Sequence, residues 1–237
     1  MTTVERRDRS PLLAALTSPV GRKVLTGVTG AVWVLFALFH MLGNLGYFSA
    51  DPDSYNLYTN FLTGLGPLYY LAEALLLLTI LAHAYLGISI YLGKRRARKQ
   101  GYAQYRSAGE PSRMSLSSRT MIFTGIVLLV FLVIHIKTFR FGPGVEDGYA
   151  SVVGGEEIRD LKRLVNEKFQ SPYYAFGYIA VMVLLILHLR HGVWSAFQSL
   201  GTMNARLTPF IYGLGTILAI AIAVGFMLVP FWIYFWG

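Results

Sequence analysis

The residues of this chain best equipped for chemistry are its five histidines, and all five (His40, His83, His135, His188 and His191) lie inside long apolar runs. An imidazole so placed can ligate a metal, relay a proton or hydrogen-bond to a neighbouring helix. An ionisable side chain is costly enough inside a bilayer to mark function by default. For one such histidine, metal ligation ranks behind a hydrogen bond or a proton relay, so the set carries more information than any member. Other reactive groups are scarce. Glu73 is the only acidic residue in the apolar runs, whereas a Zn²⁺ transporter would recruit Asp, Glu or Cys beside histidine. The chain has no cysteine, which excludes disulfides, thiolate-held iron–sulfur clusters and C-x-x-C-H attachment of haem. No G-x-G-x-x-G follows a strand, so no dinucleotide or flavin domain is visible. Redox chemistry on small substrates would fall to partner subunits.

The elements that must position these histidines are membrane spans. The chain is 54% hydrophobic and 14% charged, against roughly 25% charged in soluble domains, and its mean hydropathy is +0.50. Five apolar runs each reach the length of about 18 residues needed to cross a hydrocarbon core. They predict an all-α, single-domain bundle with transmembrane helices over about Val24–Gly46, Pro67–Gly93, Arg119–Phe139, Pro172–Leu200 and Pro209–Trp236. The first run lacks a small-residue cleavage site and reads as a retained span. A surface helix is expected over about 155–169, where mixed charges and apolar residues recur at helical spacing. The segment 47–66 reads as a loop, and no internal sequence repeat is apparent.

Charge sets the expected orientation. The net charge is +9, but the basic residues cluster before the first span and from Lys94 to Arg119. Lys and Arg at such places mark the cytoplasmic side and attract anionic lipid, so nucleic acid is not an expected partner. Residues 1–23 and the irregular loop 94–118 should therefore be cytoplasmic, with the C-terminus outside, where Trp232, Tyr234 and Trp236 form an aromatic belt.

Depth then sorts the histidines. At about 1.5 Å per residue, His40 and His135 each lie about 16 residues, or roughly 24 Å, from the inner ends of the first and third helices. His83 and His188 each lie about 16 residues from the outer ends of the second and fourth. Two level pairs result, His40 with His135 and His83 with His188, separated by very roughly 15 Å along the membrane normal. Two imidazoles facing each other from neighbouring helices can clamp one iron porphyrin and leave no open coordination position, which suits electron transfer better than oxygen chemistry.

The local motifs FHMLGN (39–44), LAHAYLG (81–87), SRTM with TG (118–125), HIKTFRFG (135–142) and HLRHGVWSAFQSLG (188–201) occur in that order. Over nearly its whole length the chain resembles the membrane-anchor cytochrome b subunit of succinate dehydrogenases and fumarate reductases, in the single-subunit, five-helix, two-haem form. The resemblance implies non-covalent haems b with axial ligands His40/His135 (distal) and His83/His188 (proximal). It implies a flavoprotein and an iron–sulfur subunit as partners, and a membrane quinone, menaquinone among the candidates. It further implies a multi-pass location in a bacterial cytoplasmic membrane, and assembly into a higher oligomer is compatible with it. The chain would be the electron-transfer and quinone-binding subunit, not itself catalytic for succinate.

The remaining candidates are assigned around that frame. His188 and His191 share a helix face and cannot both take one axial position; His188 is favoured by its height and by Gly192, with His191 as a hydrogen-bond donor to a propionate or to backbone. Propionate partners are Arg190 and Lys94 on the inner side and Lys137 and Arg140 on the outer, each of which reads equally well as a snorkelling side chain. Glu73, near the outer end of the second helix, could assist quinone protonation or simply face interfacial water. Some relatives carry a buried Glu two positions before the fourth ligand; here Ile186 stands there, so that proton path is missing. Two rivals stand beside this reading: a cytochrome b of another quinone-linked dehydrogenase, such as a formate dehydrogenase or hydrogenase, and a haem-free anchor or transporter.

Overall fold

The computed structural model describes residues 10–97 and 116–237; most of the basic loop expected over 94–118 therefore lies outside the described residues. The elements are α1 (Pro11–Thr17), α2 (Pro19–Leu45), α3 (Ser54–Gly64), α4 (Pro67–Ala97), α5 (Leu116–His135), a π-turn (Ile136–Arg140), β1 (Ala150–Val153), β2 (Glu156–Arg159), α6 (Leu161–Phe169), α7 (Pro172–Ser199) and α8 (Leu207–Trp236). Among the described residues, five helices, α2, α4, α5, α7 and α8, are long and apolar enough to cross a membrane. The architecture is an all-α bundle with a small polar cap at one end.

Proline and serine set several helix starts. Ser18 is extended (φ −65°, ψ 158°), as the residue before a proline prefers, and its hydroxyl accepts from Gly21 N at 3.0 Å. Pro19 then occupies the first turn, where its missing N–H costs nothing. This cap starts α2 at Pro19 and not at Val24: the basic Gly21–Lys23 stretch is polar, but nothing in it breaks a helix. At the start of α7, Ser171 is likewise extended before Pro172, here without a side-chain capping bond.

Two expectations for the cap are corrected. The segment 47–66 contains α3, and the helix expected over 155–169 forms only over Leu161–Phe169, with a strand over Glu156–Arg159 ahead of it. Glu156–Arg159 pairs antiparallel with Ala150–Val153 around Gly154 and Gly155, whose φ values of 62° and 86° give the two-residue turn that suits a hairpin. Helix begins only after Asp160, whose carboxylate accepts from Arg163 N at 3.0 Å. The charge pattern alone could not separate strand from helix; the Gly-Gly pair does.

Burial is uneven. Helix α8 is the backing of the bundle, with Ala219, Ile222, Ala223 and Ile233 almost wholly enclosed against α7 and α2. Helix α4 has no buried residue; it leans on α2 and only loosely on α5. The cap is tied down by an apolar cluster of Tyr55, Val165, Phe169, Val229 and Ile233 and by Asn56, which is 4% exposed. Asn56 donates to Asp160 Oδ1 and accepts from Lys162 N, both at 2.9 Å. Asn56→Ala would remove both bonds and leave the part-buried Lys162 N–H without its side-chain acceptor, and should lower stability by about 1 kcal/mol, read as a lower thermal midpoint in detergent with helix content unchanged.

Candidate functional site

Helices α2, α4, α5 and α7 surround a cavity of about 2600 Å³, larger than the roughly 300–1,000 Å³ of ordinary ligand pockets. Its lining includes all five histidines. The rings of His83 and His188 face each other with centroids 6.5 Å apart and planes at 65°. Nearer the cap, His40 and His135 lie 5.7 Å apart at 85°. The end of the cavity away from the cap is lined by Arg22, Lys23, Lys94 and Arg119 and is called the basic end below.

The pair near the basic end is held by hydrogen bonds to threonine and backbone oxygens. His83 Nδ1 lies 3.1 Å from the Thr26 carbonyl oxygen and 3.3 Å from Thr29 Oγ1. A carbonyl can only accept, so Nδ1 carries the proton and Nε2 the lone pair. The Thr29 hydroxyl gives its own proton to the Leu25 carbonyl at 2.7 Å and is left as an acceptor. His188 repeats this arrangement. Its Nδ1 lies 3.0 Å from Thr124 Oγ1, whose hydroxyl is within 3.1 Å of the Thr120 and Met121 carbonyls. Each ring also rests on a glycine. A Cβ on Gly30 would come within 3.0 Å of His83 Cε1, and one on Gly125 within 3.3 Å of His188 Cε1.

The pair near the cap is held more by stacking. Phe36 lies 5.3 Å from His40, nearly parallel, and Phe131 lies 5.7 Å from His135. His135 Nδ1 reaches the Tyr178 hydroxyl at 3.4 Å. Asn44 donates to the His40 carbonyl at 2.8 Å, has its amide nitrogen 3.4 Å from His40 Nε2, and accepts from the Tyr55 hydroxyl at 3.1 Å.

This arrangement fits a planar metal complex between each pair. Two first-row metal–imidazole bonds of about 2.0–2.1 Å in line, with half a ring added at either side, put the centroids roughly 6 Å apart. Both observed separations are near that value. Among the described residues no three His, Asp or Glu side chains gather around one point, so a tetrahedral ion site is not formed. The histidine donors come in twos, a number that could serve a metal whose other ligands come from a planar cofactor.

The other sequence candidates divide. Lys94 and Arg140 line the cavity. Arg140 leaves the π-turn that follows His135, where Phe141 N bonds to Ile136 O at 3.1 Å, and crosses to Glu73 on α4 with two bonds of 2.5 and 3.1 Å. Its guanidinium also covers the Tyr69 ring at 5.5 Å. Arg190 turns away from the cavity to Thr216 and Ser117 at 3.2 and 3.4 Å, and Lys137 is exposed outside it. His191 lines the cavity one turn beyond His188, its ring 5.9 Å from Trp194, and does not face His83. Trp194 Nε1 is buried without a hydrogen-bond partner among the described residues.

Sequence reasoning missed Thr26, Thr29 and Thr124, the cations Arg22 and Arg119 at the basic end, and Arg159 near the cap. The threonines were readable as Thr-Gly dipeptides on two helices. Arg159 was not readable: it reaches the cavity only because the hairpin folds back, with its guanidinium on the Pro143 and Gly142 carbonyls at 2.9 and 3.1 Å. Comparison of the chain with known protein families, with curated proteins and with solved structures finds no match.

Glu73 and Arg140 are each about one third exposed, at 35% and 34%, so solvent weakens their pairing. Glu73→Gln should cost less than about 1 kcal/mol of stability, and a double-mutant cycle with Arg140→Gln should return a coupling within that bound.

Proposed function

We propose that this chain is a dihaem cytochrome b, the five-helix membrane anchor of a succinate:quinone oxidoreductase. The observation that carries the reading is the convergence of four histidines from four helices into two facing pairs inside one large cavity. When bound, the haems would supply one-electron transfer through two coordinatively closed irons.

The chain's own residues supply the rest. His83 presents its Nε2 lone pair because its Nδ1 proton goes to the Thr26 carbonyl, and His188 presents the same nitrogen when its Nδ1 donates to Thr124 Oγ1. Arg22, Lys23, Lys94 and Arg119 give the basic end the positive charge that carboxylate side arms of a porphyrin need. Apolar side chains along the cavity exclude water and lower the local dielectric, which favours the less charged state of a bound metal. Near the cap, Glu73, Arg140 and Tyr69 together offer a carboxylate, a guanidinium and a phenol, groups that can bind and protonate a quinone headgroup.

Orientation follows from charge. The basic end faces the cytoplasm of a bacterium, the cap faces outward, and five crossings leave the N-terminus inside and the C-terminus outside. A flavoprotein and an iron–sulfur subunit dock at the basic end. Electrons from succinate cross from the His83/His188 level to the His40/His135 level and reach a membrane quinone, menaquinone being one candidate; fumarate reduction runs the same path backwards.

The purified chain should show two b-type haems in a reduced-minus-oxidised spectrum and by haem extraction, and a chain with no Soret band would end the reading. His188→Ala should leave one haem and His191→Ala two; the reverse would move the ligand to His191. Co-purification with a formate dehydrogenase or hydrogenase in place of flavoprotein and iron–sulfur subunits would overturn the succinate assignment alone.

A further inference from the structure

Helices α2 and α5 carry the same short pattern. Residues 29–40 read TGAVWVLFALFH and residues 124–135 read TGIVLLVFLVIH. Thr, Gly, Val, Phe and His recur at identical spacing, T-G-x-V-x3-F-x3-H, which corrects the expectation that no repeat is present. The structure gives the matching Thr, Gly and Phe positions the same kind of contact. Thr29 and Thr124 face the Nδ1 of a histidine on the next long helix, at 3.3 and 3.0 Å. Gly30 and Gly125 lie under the Cε1 of that ring. Phe36 and Phe131 lie against His40 and His135 on their own helices. Each helix therefore seats one histidine of the basic-end pair and, eleven residues on, supplies one of the cap-end pair.

We propose that Thr29 and Thr124 are positioning residues, which with Gly30 and Gly125 set the tautomer and rotation of His83 and His188 and thereby tune the redox centre they hold. The inference rests on the dihaem reading. Two arguments carry it. Both hydroxyls lie within reach of a backbone carbonyl of their own helix, and a hydroxyl that gives its single proton there accepts from the imidazole. The glycine below each ring leaves the room that lets the imidazole approach closely enough for that bond. A hydrogen bond from Nδ1–H makes the opposite nitrogen a stronger donor and stabilises the oxidised metal. The two seats differ in redundancy: His83 Nδ1 also reaches the Thr26 carbonyl, while His188 depends on Thr124. Thr124 is the stronger lever.

The test is a redox titration of the full chain with its haems, the basic-end centre being identified as the one missing in His188→Ala. Thr124→Val should keep both haems, raise the midpoint potential of that centre alone and shift its low-spin ferric EPR signal. Thr124→Ser should restore both, and Thr29→Val should move the potential less. Unchanged potential and EPR signal in Thr124→Val, equal shifts in both centres, or Thr124→Ser behaving like Thr124→Val would overturn the proposal. If the wild-type chain binds no haem, the cytochrome reading falls separately, and ¹⁵N NMR of the histidine rings decides the seat. A proton on Nδ1 of His188 in the wild type, redistributed in Thr124→Val, upholds it; a proton on Nε2 overturns it.

Discussion

An imidazole inside an apolar bundle has two polar nitrogens and no water to satisfy them, and much of this protein is organised around how those nitrogens are used. At the basic end the problem is solved on one side by threonine and backbone oxygens, which leaves the other nitrogen directed by elimination. Near the cap the protons are less firmly assigned, and aromatic neighbours hold the rings by contact. In each case the ring meets a partner ring from a different helix. The helices must therefore keep a fixed rotation about their axes, since a turn of one helix would withdraw its histidine from the pair.

That requirement explains the division of labour among the five spans. Protein interiors are normally filled to the density of organic crystals, and four helices packed that tightly would have no room for facing imidazoles at their centre. Helix α8, which carries no histidine, supplies the conventional core instead: Ala219, Ile222 and Ala223 lie fully buried against its neighbours. Its small residues let α7 and α2 approach closely, as in other membrane bundles. Helix α4, the least enclosed, is held by a few polar ties, Trp33 to Thr79 and Arg22 to Ser89 at 3.1 Å each, and by the Arg140–Glu73 pair.

Much of the spans and of the histidine geometry could be read from the sequence, because both depend on a regular rise per residue. Counting along apolar runs placed His40 level with His135 and His83 level with His188, and the rings of each couple do meet. The cap was less legible. Residues 155–169 have the charge pattern of a surface helix, and only the Gly154–Gly155 turn shows that Glu156–Arg159 form a strand before the helix begins. Arg190 was expected to serve as a propionate partner because it lies toward the inner end of its helix. On a helix each residue turns about 100° about the axis, so Arg190, two residues after His188, points about 200° away from it, to Thr216 and not to the cavity. Arg159 reaches the cavity through a tertiary fold-back that no local pattern records.

The π-turn after His135 has a consequence for phase. In an α-helix the fifth residue onward lies about 140° around the axis, which would swing the Arg140 guanidinium off the bearing of His135. Bonding from residue i to i+5 unwinds the backbone enough to bring the fifth residue back over the first. The helix thus absorbs one surplus residue without losing alignment between its last imidazole and its terminal cation. An ordinary α-helix could achieve that alignment only with a chain one residue shorter, so the widened turn sets the angular bearing of the charge that stands above the cap-end histidines.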